Sequence, residues 1–221
     1  NKYVLKNKKI NTTKKTRYLS NGSQLLRLDN DSTGFREKDL HSLGKLFLEK
    51  ISKYDSIVIS DYNKGVCSKI LVENLIKYAN NLGITVFIDP KGPNWIKYNY
   101  ATCITPNKKE VESEVKFKCY NDIHFEKAAK ILIDKFKLKS CLITRGPDGM
   151  TYVDNENTLH QKVGRKEVFD VSGAGDTVIA CMVASLSSGL NVLQSLELSS
   201  YISSKVVTYL GTTPFNIEML E

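Results

Sequence analysis

Four short segments constrain the fold most. Ser56-Ile-Val-Ile-Ser, Ile84-Thr-Val-Phe-Ile, Ala101-Thr-Cys-Ile-Thr and Ser140-Cys-Leu-Ile-Thr are apolar, rich in β-branched residues, and too short to be anything but strands. Between them lie stretches whose apolar residues recur at helical spacing. Leu40, Leu43, Leu46, Phe47 and Ile51 predict a helix over about 36–54. Ser68 to Leu82 repeats the pattern, with a Ser cap and Gly83 as the stop, and a further helix covers about 125–137. Apolar strands that alternate with amphipathic helices make a parallel sheet covered on both faces. After Gly149 the pattern changes to a short β section, Met150-Thr-Tyr-Val and about 158–163. Two helices close the chain, from Ala174 to about Ser188 and from Val192 to about Tyr209. Near the start, Lys15 to Ser20 and Gln24 to Asp29 flank Asn21-Gly22, a hairpin signal.

The 221 residues suit one domain spanning 1–221, with the 1–30 hairpin at an edge or lid. The chain opens at Asn1 rather than Met, which reads as a fragment. No apolar run approaches membrane-spanning length and no signal peptide is visible, so no membrane partner is expected. The net charge of +8 is carried mostly by Lys scattered among Asn, Ile and Tyr. Nucleic-acid binding would want Arg and aromatics interleaved along one face, so no nucleic-acid partner is expected. Such a surface still attracts sugar phosphates and nucleotides. Five cysteines, odd in number and without a Cys-x-x-Cys pair, fit reduced thiols in the cytoplasm. Cys103, Cys141 and Cys181 lie in apolar runs and read as core. His41, His124 and His160 have no ligand spacing and read as surface residues.

Asp170 to Asp176 read Asp-Val-Ser-Gly-Ala-Gly-Asp, and an apolar helical run follows at once. Gly173, Ala174 and Gly175 let the backbone approach a ligand, and they sit where helix amides and dipole point outward. This is an anion site suited to phosphate. A carboxylate beside it, Asp176, repels the anion unless it has another task, such as taking a proton from an attacking hydroxyl. The combination points to phosphoryl transfer to an alcohol; a tight turn with a favourable helix-start Asp is the plainer alternative. Position 178 is Val, so the dinucleotide fingerprint is absent, and no Walker-type loop occurs. In open α/β sheets ligands bind beyond the carboxyl ends of the strands. Polar residues gather there: Asp61-Tyr-Asn-Lys64, Asp89-Pro-Lys91-Gly92, Pro106-Asn107-Lys-Lys-Glu110 and Thr144-Arg145-Gly146.

The Asp-Val-Ser-Gly-Ala-Gly-Asp string resembles the C-terminal signature of the ribokinase-like (PfkB) carbohydrate kinases. Other strings resemble one branch of that family, the D-glycero-β-D-manno-heptose 7-phosphate kinases: Lys15-Thr-Arg17-Tyr-Leu-Ser, Gln24-Leu-Leu-Arg27-Leu-Asp29, Ser60-Asp-Tyr-Asn-Lys-Gly65, Asp89-Pro-Lys-Gly92, Thr105-Pro-Asn-Lys-Lys-Glu110, Thr144-Arg-Gly-Pro-Asp-Gly-Met150 and Leu210-Gly-Thr-Thr213. The resemblance covers nearly the whole chain. It implies a ribokinase-like three-layer αβα fold around a mostly parallel sheet. Relatives begin with a strand, a Gly-Gly-x-x-x-Asn-x-Ala sugar-binding segment and lid strands that this chain does not contain, so the N-terminal strands and most of the lid are expected to be missing. The fragment is expected to be inactive alone.

The resemblance also implies roles. Asp176 would be the base for the sugar's anomeric hydroxyl, and the backbone of Gly173, Ala174 and Gly175 would hold the transferring phosphoryl group. Asn107 and Glu110 would place Mg²⁺ and its waters on the ATP phosphates. Thr144, Gly146 and Gly149 would form the nucleotide-side loop, and Lys91 would neutralise the transferring phosphate. Asp61, Lys64, Lys15 and Arg17 would meet the sugar phosphate. The implied reaction is ATP-dependent phosphorylation of C1 of heptose 7-phosphate, feeding nucleotide-heptose synthesis for lipopolysaccharide and other surface glycans. Partners are then the sugar phosphate and ATP, with a homodimer left open. Another ribokinase-like sugar or nucleoside kinase, and a non-catalytic nucleotide-binding module, are the competing readings. Ser200-Tyr-Ile-Ser-Ser-Lys205 departs from the Ala- and Gly-rich run that relatives carry near adenine.

Overall fold

A computed structural model describes residues 4, 10–20, 23–31, 34–163, 171–209 and 211–220. The four apolar runs form β3 (Ser56–Ser60), β4 (Thr85–Asp89), β5 (Cys103–Ile104) and β6 (Ser140–Thr144), following the hairpin strands β1 (Lys14–Ser20) and β2 (Ser23–Asn30). Strands β3 to β6 pair in parallel and in chain order. Two antiparallel strands, β7 (Met150–Asp154) and β8 (Thr158–Gln161), extend the same sheet. The expected run 101–105 forms only a two-residue strand. Its flanks still bond to β4: the Thr102 hydroxyl accepts from the Val86 amide at 2.9 Å, and the Thr105 amide donates to the Ile88 carbonyl.

Strand order explains the layers. Each parallel crossover moves one place in the same direction, and right-handed crossovers of that kind put their helices on one face. Helices α2 (Lys69–Asn81), α3 (Lys108–Val115) and α4 (Asp122–Phe136) occupy that face, with α1 (Glu37–Lys50) against α2. Helices α5 (Ala174–Ser187) and α6 (Val192–Val206) pair with each other and cover the other face. The sheet feeds both cores by alternation. Val86 and Ile88 enter one core while Phe87 enters the other; Cys141 and Ile143 enter the first while Leu142 enters the second. This is the three-layer αβα arrangement expected.

Local chemistry sets the helix ends. The Ser68 hydroxyl accepts from the Leu71 amide to cap α2, and Gly83 leaves the helix at φ 72°. Helix α4 starts at Asp122, earlier than apolar spacing suggests, because the Asn121 side chain caps it. The β1–β2 hairpin forms a separate two-stranded sheet, with a register shift between Tyr18 and Leu19. Its Asn21-Gly22 turn lies outside the described residues. Cys103 and Cys141 are buried as expected; Cys181 is only partly buried, since it lies on a face of α5 that borders an open groove, and Cys119 is buried instead.

Gly149 ends the turn between β6 and β7 at φ 91°, where an added Cβ would stand 2.0 Å from the Gln161 carbonyl oxygen. Gly83 also has positive φ, but a Cβ there meets nothing within 4 Å. Gly149→Ala is therefore expected to destabilise by ~3 kcal/mol or more, lowering Tm by roughly 6–12 °C. Gly83→Ala should cost only ~1 kcal/mol. Thermal melts of the two variants check the contrast.

Candidate functional site

Because β3 to β6 run in parallel, their carboxyl ends meet along one edge. The Asp61 amide, just past β3, donates to the Asp89 carbonyl at the end of β4. Asn107 is bridged to Thr144 at the end of β6, so the start of α3 and the loop after β6 share that edge. Helix α5 docks on β3 and β4 from the other face and brings its first turn to the same place. Asp176, in that turn, lies within reach of the Ser60 hydroxyl at 3.4 Å and the Tyr62 hydroxyl at 3.2 Å. Its carboxylate therefore points into the region beyond the strand ends.

Gly173 caps α5 at φ 87°, and an added Cβ would press on Thr212 at 3.1 Å. The segment 211–213 thus closes over the start of the helix, a contact the sequence did not signal. Of the three residues expected to cradle a phosphoryl group, Ala174 is already engaged: its amide donates to the Val171 carbonyl at 3.2 Å in the turn leading into the helix. This corrects the expectation for Ala174. Helical geometry gives the amides of Gly175 and Asp176 no carbonyl within the helix. Glu167 to Asp170, upstream in the same motif, lie outside the described residues.

Asn107 and Glu110 form a capping box on α3. The Asn107 side-chain oxygen accepts from the Glu110 amide at 3.1 Å, and Glu110 Oε2 accepts from the Asn107 amide at 2.9 Å. Asn107 Oδ1 and Glu110 Oε2 are therefore both committed to the backbone of the cap. Glu110 Oε1 accepts from Lys91, and that bond is the main reason the Lys91 ammonium is held above its usual range. Asp89 completes the cluster. Burial, and then the neighbouring charges of Glu110, Asp176 and Asp61, push its carboxyl up to about 7, against the relief offered by Lys91. Asp89 had been read only as a strand end.

This surplus of negative charge suits a divalent cation. Among the described residues no three carboxylate, histidine or cysteine side chains converge closely enough to hold an ion alone. Magnesium, which keeps much of its water and binds phosphate oxygens, asks for less: one or two carboxylates. Glu110 and Asp89 meet that requirement.

The residues expected at the sugar phosphate divide. Lys15 and Lys64 line a cleft of about 560 Å³ together with Thr12, Thr13, Ser60 and Tyr62. Each lysine is paired with a hairpin-side carboxylate, Lys15 with Asp29 at 3.8 Å and Lys64 with Asp31. Arg17 lies further along β1, exposed and opposite Arg27, away from the cleft. Asp61 requires a correction. Its carboxylate is buried and fully engaged, accepting from the Asn63 amide at 2.6 Å, Lys97 at 2.5 Å and the Tyr98 hydroxyl at 2.8 Å. It fixes the cleft floor instead of meeting a ligand. Lys97 was missed because a lysine flanked by Ile96 and Tyr98 looks like surface decoration; it is 7% exposed. Thr144, Gly146 and Gly149 form the tight turn after β6, beside Asn107.

Asp89 carries a stability signature. Its carboxyl ionises near the ordinary value in the unfolded chain but resists ionisation up to about pH 7 when folded. Stability is therefore lost as pH rises from about 4 to 7. Asp89→Asn should melt several degrees above wild type at pH 8 without metal, with the gap closing by about pH 4. Thermal melts across that pH range provide the check.

A family model described as pfkB family carbohydrate kinase matches residues 1–219. The chain is 36% identical over 212 residues to the bifunctional protein HldE of Methylobacillus flagellatus, covering 95% of this chain and 43% of that protein. It is 32% identical to its namesake in Helicobacter pylori HPAG1, covering 97% of this chain and 47% of that protein. The chain thus spans less than half the length of these curated relatives. Phosphofructokinase-2 from Escherichia coli superposes with a TM-score of 0.75 at 22% identity, over 88% of this chain and 64% of that one. Arabidopsis thaliana ribokinase, solved with ribose and ATP, gives 0.70 at 16% identity over the same shares, 88% and 64%. These structural likenesses establish the ribokinase-like fold.

Proposed function

The chain belongs to the pfkB family of carbohydrate kinases, and on that premise we propose that it is the catalytic kinase portion of an enzyme that phosphorylates a sugar phosphate with ATP. The acceptor we favour is D-glycero-D-manno-heptose 7-phosphate, phosphorylated at C1 to the 1,7-bisphosphate for nucleotide-heptose synthesis. The shared name of the relatives and the Ser60-Asp-Tyr-Asn-Lys-Gly65 and Asp89-Pro-Lys-Gly92 strings support that choice. The observation that carries the kinase reading is the placement of Asp176. It sits in the first turn of α5, beside outward amides, and reaches hydroxyls that line the neighbouring cleft.

In this reading the acceptor lies in the cleft between the hairpin and the end of β3. Lys15 and Lys64 exchange their pairing with Asp29 and Asp31 for the distal phosphate of the sugar. Asp176 accepts the proton of the attacking C1 hydroxyl. The amides of Gly175 and Asp176 receive charge that develops on the transferring group. Lys91, half-exposed and mobile on its stem, swings from Glu110 to the same phosphate oxygens. Glu110 and Asp89 would hold a magnesium ion, which would supply charge neutralisation on the ATP phosphates. Thr144, Gly146 and Gly149 form the nucleotide-side wall. A soluble enzyme acting in the cytoplasm accords with this role; no helix among the described residues is long and apolar enough to cross a membrane.

Asp176→Asn is expected to lower kcat by at least ~10²-fold with ATP binding nearly intact. Retention of more than about a tenth of wild-type kcat under chemistry-limited conditions refutes the base assignment. Glu110→Gln should raise the Mg²⁺ concentration for half-maximal rate roughly tenfold. A coupled ADP-release assay with heptose 7-phosphate, run with a Mg²⁺ titration, measures both.

A further inference from the structure

The carboxylate of Asp176 has two neighbours that the kinase reading leaves without a task. The Tyr62 hydroxyl spans both of its oxygens, at 3.4 Å from Oδ1 and 3.2 Å from Oδ2. The Ser60 hydroxyl reaches Oδ1 at 3.4 Å. Both donors come from the end of β3, whereas Asp176 comes from α5, more than a hundred residues later in the chain. A long pair of contacts across two layers is not needed to hold either element in place, since α5 already packs on α6, β3 and β4. The β3 end is itself rigid. Asp61, between the two donors, is locked by Lys97, Tyr98 and the Asn63 amide. Ser60 and Tyr62 are therefore presented at a fixed height beneath the base.

We propose that Tyr62, assisted by Ser60, is the positioning residue of Asp176, orienting its carboxylate toward the acceptor cleft while each oxygen keeps a lone pair with which to take a proton. The proposal rests on the kinase reading. Chemistry favours Tyr62 for this work. Burial is the main reason its phenol is held above the usual range, and the charges of Asp176 and Asp89 add to it; Ser60 opposes. The phenol therefore stays a donor and does not compete as a second base. The charged groups that face it are Asp176 on α5, Asp89 at the end of β4 and Lys91 just beyond. Tyr62 also lines the cleft, so an acceptor hydroxyl approaching Asp176 passes its ring. Loss of the phenol oxygen leaves the carboxylate free to rotate about its stem, which lowers the fraction of bound complexes with an oxygen aimed at the hydroxyl.

Two readouts test the proposal on the whole protein. The first needs no turnover: ¹³Cζ-tyrosine NMR follows the Tyr62 phenol, assigned with Tyr62→Phe, through a pH titration. In Asp176→Asn the phenol should titrate ~0.5 pH units or more below wild type, because the adjacent carboxylate is gone. The second is kinetic: Tyr62→Phe should lower kcat roughly tenfold with the KM for ATP unchanged, and Ser60→Ala should lower it less. A phenol that titrates identically in wild type and Asp176→Asn overturns the proposal. So does a Tyr62→Phe enzyme with wild-type kcat, or one whose loss appears only as reduced folding in a thermal melt. Absence of turnover in the wild-type protein with every sugar phosphate overturns the kinase reading and this proposal with it; turnover with an unresponsive phenol overturns this proposal alone.

Discussion

Like charges gathered at one edge of the sheet govern this molecule. Parallel strands bring Asp61, Asp89 and Glu110 to the same edge, and α5 adds Asp176 from the opposite face. Two lysines offset them within the protein, Lys97 on Asp61 and Lys91 on Glu110. The two pairs differ in kind. Lys97 and Asp61 are buried, and removing either partner would strand a charge at a cost of ~3–5 kcal/mol. Lys91 is half-exposed, so its bond to Glu110 is weakly held and exchangeable. One pair fixes the scaffold; the other gives way to a ligand. Asp89 stays pushed up to about 7, first by burial and then by the charges of Glu110, Asp176 and Asp61 that Lys91 only partly relieves. A site built this way favours substrates that arrive with their own cation, as nucleotide triphosphates do.

The arrangement links the two faces of the sheet. On one face the helices enter just after the strand ends, so the cap of α3 and the turn after β6 are carried by local chemistry. On the other, α5 is placed by its packing on α6, β3 and β4. The position of Asp176 therefore depends on tertiary contact, while those of Asn107 and Glu110 depend on a local cap. That division explains why donors from β3 are useful to Asp176: they tie the base to the same strand end that lines the acceptor cleft.

Much of this was legible in the residues. Apolar strand runs and their alternation with helices predicted a mostly parallel sheet covered on both faces, because the central residues of β4 and β6, Val86 to Ile88 and Cys141 to Ile143, are buried. The start of α5 was legible from Gly173-Ala-Gly-Asp176. Long-range pairing was not. Nothing local to Asp61 announces that Lys97 and Tyr98 will meet it, so a buried anchor looked like a ligand contact. Asn107 and Glu110 matched the family's metal-placing pair, and the same two side chains form the cap of α3. Ala174 looked like a free amide because the turn that engages it closes onto Val171, an exposed residue with no sequence signal. Tyr62 was overlooked for the reason that makes it interesting: its partner lies on another layer.

Phosphoryl transfer to the sugar is the central claim, and ³¹P NMR of the protein with Mg²⁺, ATP and D-glycero-D-manno-heptose 7-phosphate tests it most directly. The account predicts ADP and a new anomeric phosphate resonance appearing together, one for one, with the 7-phosphate resonance retained. ADP and inorganic phosphate without a new sugar phosphate, or no change in ATP over many expected turnovers, would contradict it.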